Sequence, residues 1–254
     1  MQTSVRPEPM TWIDTTFDFQ LDTPPGGDPD SDSPTLRRYH KFLWSKRLPG
    51  GAFFDLVNTE PKAYLYHSSE LGKFRLSSDS LIPSYSRVKN RQIASIVNQV
   101  GPEKVESFRN IGYTIGGMLV FPSNQVNRKN TINQARGMNA QIRDRFDLTL
   151  ECIRRFYLGE DSPLVDTLQR YSEFFNIFDT FRGYVDFFLL QDIVSPNYSE
   201  ILFSLPFEGF NAPALPQNID SYLLYRENCI SFIIARNQRI QNYCEAIGLS
   251  PNFV

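Results

Sequence analysis

Histidine is nearly missing from this chain: His40 and His67 are the only two among 254 residues. Transition-metal centres draw their ligands from clusters of His, Cys and carboxylates, so this scarcity leaves no metal site to expect. Cysteine is as sparse. Cys152, Cys229 and Cys244 are odd in number and show no C-x-x-C spacing, which excludes a disulfide framework and points to reduced thiols in a cytosol. Neither G-x-x-x-x-G-K-[ST] nor G-x-G-x-x-G occurs, so P-loop and dinucleotide folds lack support. G-x-S-x-G is missing too, and two histidines leave few bases for a hydrolase triad. Long apolar runs are also lacking. The richest window, FRGYVDFFLLQDIV from Phe181 to Val194, is broken by Arg182, Asp186 and Asp192 and falls short of the roughly 20 residues a membrane span needs. MQTSVRPEPMTWID at the start has neither the basic cluster nor the apolar stretch of a secretory signal. A soluble, cytoplasmic protein without a membrane partner is expected.

What is present is an uneven distribution of charge. Residues 1–34 hold seven acids and one base, 35–145 hold eighteen bases and seven acids, and 146–254 hold seven bases and fourteen acids, within a net charge of -2. The middle is a basic island. It either pairs with the acidic ends or presents an electropositive face to a phosphate-bearing ligand, nucleotide or nucleic acid.

The pattern predicts an α+β fold, with a mixed N-terminal strand/helix half packed on a C-terminal helical half. Residues 1–34 read as an acidic strand and connector, 35–138 as a basic α/β region and 139–254 as a helical region, together one composite domain. Alternation in TWIDTTFDFQL (Thr11 to Leu21) predicts a strand. Ser33 and Pro34 predict a helix start, with the aspartates upstream favouring its positive end. AFFDLV, AYLYHSS and KFRLSS read as strands, the last two as a hairpin turning at Gly72, and KNRQIASIVNQVG as a helix stopped by Gly101 and Pro102. YTIGGMLVFPS predicts a buried strand. Further helices are expected before Gly159, from Ser162 and Pro163 onward through Phe178, and from Ile219 to Ile247, the last closed by Gly248 and Pro251.

Several residue groups invite chemistry. Asp28, Asp30 and Asp32 have the spacing of the first calcium ligands of an EF-hand, but Ser33 and Tyr39 stand where that loop needs Gly and Glu. On the helix that follows, Arg37, Lys41 and Trp44 lie at i, i+4 and i+7, a combination able to grip a phosphate and stack a base. With His40, Arg136 and Arg143 they are the candidate lining of a cleft between the two halves. Asp147, Glu151, Arg154 and Arg155 read either as helix salt bridges or as a metal-assisted phosphodiester centre. The aromatic helices Phe174 to Phe188 and Tyr222 to Tyr243 suggest an alternative: a non-catalytic module that docks a protein partner. No motif names a cofactor.

Three resemblances to known families are carried by particular stretches. YLYHSS (Tyr64 to Ser69) is similar to the strand of ADP-ribosyltransferases in which a His followed by a small hydroxyl residue holds the nicotinamide ribose, which implies an NAD-dependent transferase using His67. TIGGMLVFPSNQVNRKNTIN resembles a segment of HNH-type nucleases of restriction systems, though the histidines that hold such a nuclease's metal are not in it. YHKFLWSKRLPGG, IGYTIGGMLVFPSNQVNRKNTINQARG, DRFDLTLECIRRFYLGE and FRGYVDFFLLQDIV together resemble an uncharacterised family of bacterial cytoplasmic proteins with no known activity. The resemblance spans roughly Phe17 to Gln241. It implies no site residues and leaves room for a defence or toxin-type component.

Overall fold

A computed structural model describes residues 12–57, 64–82 and 91–248 of the chain. Calls that rest on the extreme N-terminus, on Ala63, on Lys89 and Asn90 or on Pro251 lie outside these residues. The fold is α+β, with helices dominating two small antiparallel sheets.

Asp28 caps a one-turn helix, α1 (Pro29–Asp32), and Ser33 caps α2 (Pro34–Trp44). The capping geometry at Ser33 is double: its hydroxyl accepts from the Leu36 amide at 3.1 Å and donates to Asp22 Oδ1 at 2.6 Å, while Asp22 Oδ2 takes the Thr35 amide at 2.9 Å. Two of the orphan amides of the first turn are thus satisfied by one serine and one aspartate. Replacing Ser33 by Ala is expected to cost about 1 kcal/mol, read as a lower urea midpoint with an unchanged m-value. The three aspartates of DPDSD serve turns: Asp32 Oδ2 receives the Asp28 amide at 2.7 Å and Asp30 Oδ2 the Ser80 amide at 3.2 Å.

Strands β1 (Lys46–Arg47) and β2 (Phe53–Phe54) form a short ribbon. Strands β3 (Leu65–Ser69), β4 (Gly72–Ser80) and β5 (Met118–Pro122) form the larger sheet, with β4 in the centre. Gly72 adopts φ +133° where the hairpin closes, a backbone state that suits glycine. The described part of the alternating stretch, Trp12 to Leu21, is not a strand. Its alternation is real, with Ile13, Thr15 and Phe19 buried, but the segment folds as turns held by Asp14 and Asp18 side chains on the amides two residues on, the Asx geometry that competes with a ladder.

Helices α3 (Arg91–Val97) and α4 (Pro102–Gly112) meet at Gly101, with Pro102 at the first position of α4. The dipeptide read as a stop is therefore also a start. A 3-10 turn at Ile115–Gly117 leads into β5. Then come α5 (Ile132–Met138), α6 (Phe146–Leu158), α7 (Val165–Arg170), α8 (Ser172–Asn176) and α9 (Phe181–Phe187). Gly159 closes α6 in the left-handed region as expected. The single helix predicted from Ser162 is instead a chain of short ones, because the carbonyls of Leu168 and Phe175 end in tight turns and Asp179 stands at φ +63°. Ser162 caps nothing; α7 begins after Leu164.

The last helix, α10 (Ile219–Ala246), opens with a reciprocal Asn218/Ser221 cap and runs 28 residues, about 42 Å at 1.5 Å per residue. Its buried residues, from Tyr222 through Cys229, Ile233 and Arg236 to Cys244, form one stripe, which lies against the 3-10 turn and α4. Phe174, Phe178, Tyr184, Phe187, Phe188, Trp44 and Phe54 make an aromatic nest with ring centroids 4.9–6.3 Å apart, mostly tilted or edge-on as ring quadrupoles prefer. The buried apolar residues from Ile13 to Cys244 form one continuous core.

Candidate ligand pocket at Lys46

The candidate residues do not share one cleft. Arg37 and Lys41 lie half-buried on α2, with the Arg37 guanidinium 5.4 Å from the Tyr64 ring centroid. His40 and Trp44, on the other side of the same helix, are fully buried. Trp44 Nε1 donates to His40 Nδ1 at 2.9 Å, and His40 Nε2 lies 2.9 Å from Ser78 Oγ. An indole can only donate, so the imidazole is neutral with its proton on Nε2. Burial, aided by the charge of Arg236, pushes the His40 pKa down to about 3. His67 is also a core residue. It stacks on Phe54 at 4.3 Å, donates from Nδ1 to the Asp55 carbonyl at 2.8 Å and accepts at Nε2 from Ser69 at 2.8 Å. Both ring nitrogens are used, which leaves none for a nicotinamide ribose.

Arg136 is fully buried among β4, α5 and α6. Its guanidinium bonds Asp79 Oδ2 at 2.5 Å, Thr149 Oγ1, and the carbonyls of Ser80, Leu81 and Asp144, with Asp144 Oδ1 3.4 Å away. This is a structural knot, all of its donors spent. Arg143 is half-buried at φ +48° in the turn before α6. Glu151 binds Arg154 and Arg155 at 2.8 Å each, which holds its carboxyl below the usual range despite burial; these are the helix salt bridges. Asp147 pairs with Arg145 at 2.5 Å and accepts the Ser204 amide at 2.9 Å. Among the described residues no group of three His, Cys, Asp or Glu side chains could hold a metal ion. The rings of both aromatic helices point mainly into the chain's own core: Phe174, Phe178, Tyr184, Phe188, Tyr222 and Tyr225 are all at most 1% exposed.

The side chain that sequence reading passed over is Lys46. It follows Ser45, the last cap of α2, and is fixed in β1 by pairing with Phe54. The Ser45 hydroxyl accepts the Leu56 amide at 3.0 Å, which pins the ribbon to the end of the helix. From there the ammonium enters a cage of three rings, 5.1 Å from the Trp44 centroid, 4.8 Å from Phe187 and 4.6 Å from Tyr243. These rings come from α2, α9 and α10. Lys46 makes no ion pair with any described carboxylate. It opens instead on a concavity of about 590 Å³ walled by Arg47, Pro49, Thr180, Arg182, Asp186 and Tyr243, within the size range of small-molecule sites. Gly183 shapes this wall: a Cβ there would collide with the Phe178 carbonyl and press on Pro49 at 3.0 Å.

Behind the cage sits Arg236, fully buried and in no ion pair with a described carboxylate. It donates to the carbonyls of Gly116 and Met118 at 2.9 Å, Phe188 at 3.1 Å and Leu189 at 3.2 Å, and lies 5.9 Å from the Trp44 centroid. Leu189 stands at φ +54°, an uncommon state for a γ-branched residue, and the two bonds from Arg236 hold that turn. Burial lowers the Arg236 pKa to about 9. It lowers Lys46 further, to about 7, with the Arg236 charge as the second cause; Cys244 and Asp186 act in the opposite direction. Asp186 is itself committed, accepting from Tyr198 at 2.7 Å and Gln191 at 2.8 Å, with Arg182 3.5 Å away.

Residues 13–240 match a family of unknown function, DUF6994. The chain belongs to that family. No curated protein and no solved structure matches it. The resemblance to an uncharacterised family is thereby settled, and the site has to be argued from its own chemistry. No helix among the described residues is long and apolar enough to cross a membrane. Lys46 escaped sequence reading because its pocket is completed by residues more than 130 positions downstream, Thr180 to Tyr243; only its place near Trp44, in WSKR, hinted at a cation near a ring.

Proposed function

We propose that the protein binds a small anionic molecule, carrying a phosphate or carboxylate, in the Lys46 pocket. The carrying observation is an amine with no ion pair to a described carboxylate, held by three rings at the base of an open concavity that also presents Arg47 and Arg182. Arg136, Arg145 and Arg239 each face a carboxylate within the fold, so the charge of Lys46 stands apart as one an incoming anion could match. A pocket of this volume suits a metabolite rather than a nucleic-acid strand. The phosphate-bearing ligand expected from the basic middle therefore keeps its chemistry but changes place, from α2 to the junction of β1, α9 and α10. A bacterial cytosol is the setting this proposal assumes.

Inorganic sulfate is a suitable probe because its charge is constant near neutrality. Calorimetric titration is expected to show sulfate binding about tenfold weaker at pH 8 than at pH 6, as an amine titrating near 7 loses its proton. Lys46→Met should abolish binding, whereas Arg38→Ala, on the exposed face of α2, should leave it unchanged. Equal affinity of wild type and Lys46→Met would refute the reading.

A further inference from the structure

We propose that Lys46 is an amine nucleophile that forms an imine with an aldehyde or ketone bearing an anionic group, the ligand class that the pocket reading above would then serve. Three features of the geometry support this. The Nζ atom forms no ion pair with a described carboxylate, and its immediate contacts are the faces of Trp44, Phe187 and Tyr243. Amines become nucleophilic at neutral pH in such settings, desolvated and next to another cation, and Arg236 supplies that cation from beneath Trp44. The rings that attract the ammonium also attract an iminium, so the product keeps the stabilisation the free lysine has. Arg47 and Arg182, which line the same concavity, are the cations available to the anionic group of the ligand.

The step balances without an oxidant. The Lys46 lone pair attacks the carbonyl carbon, the C=O π pair moves to oxygen, and a proton passes from nitrogen to that oxygen to give a carbinolamine. Loss of the hydroxyl as water forms C=N. The charged and titratable groups facing Lys46 are Arg236, Tyr243 and Cys244 from α10, Asp186 and Arg182 from α9, and Arg47 from its own strand. Asp186 is the carboxylate on the pocket wall, and the water that leaves takes its second proton from the carbinolamine nitrogen. The lowered pKa of Lys46 agrees with the geometry, since about half of the amine is neutral at pH 7.

The test uses the full chain with glyoxylate, an anionic aldehyde, and sodium cyanoborohydride at pH 7, followed by peptide mapping. A stable adduct is expected at Lys46 at least about tenfold faster than at the exposed Lys104, with a rate that levels off above pH 7 while labelling of Lys104 continues to climb. Lys46→Arg should still bind sulfate and take no adduct at that position. Labelling of Lys46 no faster than Lys104, with sulfate binding intact, overturns the imine and leaves the anion pocket standing; loss of both removes both.

Discussion

Replacing Arg136 by Met is expected to destabilise the fold by about 3–5 kcal/mol, the cost of removing one partner from a buried ion pair. The reason is what stays behind. The half-buried Asp79 would lose its counter-charge, and the carbonyls of Ser80, Leu81 and Asp144 would lose their donors together. Burial lifts the Asp79 pKa, and the charge of Arg136 opposes that rise. Leaving buried acceptors unpaired costs more than the bonds contributed when made. The comparison is Arg154→Ala, whose side chain is 20% exposed and whose partner Glu151 keeps Arg155; that change should cost less than about 1 kcal/mol. Urea denaturation of both variants checks the pair. Similar midpoints would mean that the knot at Arg136 is replaceable by apolar packing.

Acid should unfold the protein partly through His40. In the folded chain this imidazole refuses a proton until about pH 3, while in the unfolded chain it takes one near 6.5. Between those values the unfolded state binds more protons, so stability rises with pH across the window and falls as the pH is lowered. Between those values the slope from this one group is about 1.4 kcal/mol per pH unit; the stability it carries is present in full above 6.5 and lost progressively toward 3. Protonation would set a second N–H against the Trp44 indole N–H, which already points at Nδ1. His40→Gln keeps a neutral acceptor and removes the titration. Its stability between pH 6 and 4 should fall less steeply than the wild type by about that slope, with carboxylates such as Asp79 contributing to both profiles alike. Parallel profiles would show that His40 protonates in the native state.

Local signals were legible wherever one residue decides the backbone. Ser33 with Pro34, Gly159 and Gly72 each do so through capping or positive φ, and α2, α6 and the β3–β4 hairpin followed. The hydrophobic stripe of α10 was clear for the same reason: its period spans 28 residues. Thr11 to Leu21 misled because buried alternation does not require a ladder when Asp14 and Asp18 satisfy the amides. α4 was missed, although Val105, Phe108 and Ile111 recur every third residue, because its Gly101-Pro102 start reads first as an end.

The candidate site was harder to read than the fold. On α2 the helical wheel places Trp44 beside Arg37 and Lys41, which suggests an outward face. A histidine four residues earlier gives the indole a buried partner, and that turns Trp44 inward. Charge type was equally deceptive: Arg136 and Arg236 are the two largest charged side chains in the core, and each donates to backbone carbonyls far along the chain that no spacing rule reveals. A lysine becomes unusual only when such an arginine lies behind it.

The carbonyl clamp of Arg236 also sets an order of events during synthesis. Gly116 precedes Arg236 by 120 residues, which at about 5–20 residues per second takes on the order of ten seconds to translate. Until α10 emerges, the 3-10 turn, β5 and the rings of α9 have no helix to lie under, and the Leu189 turn has nothing to hold it. The nascent chain therefore carries an apolar seam until α10 arrives to cover it.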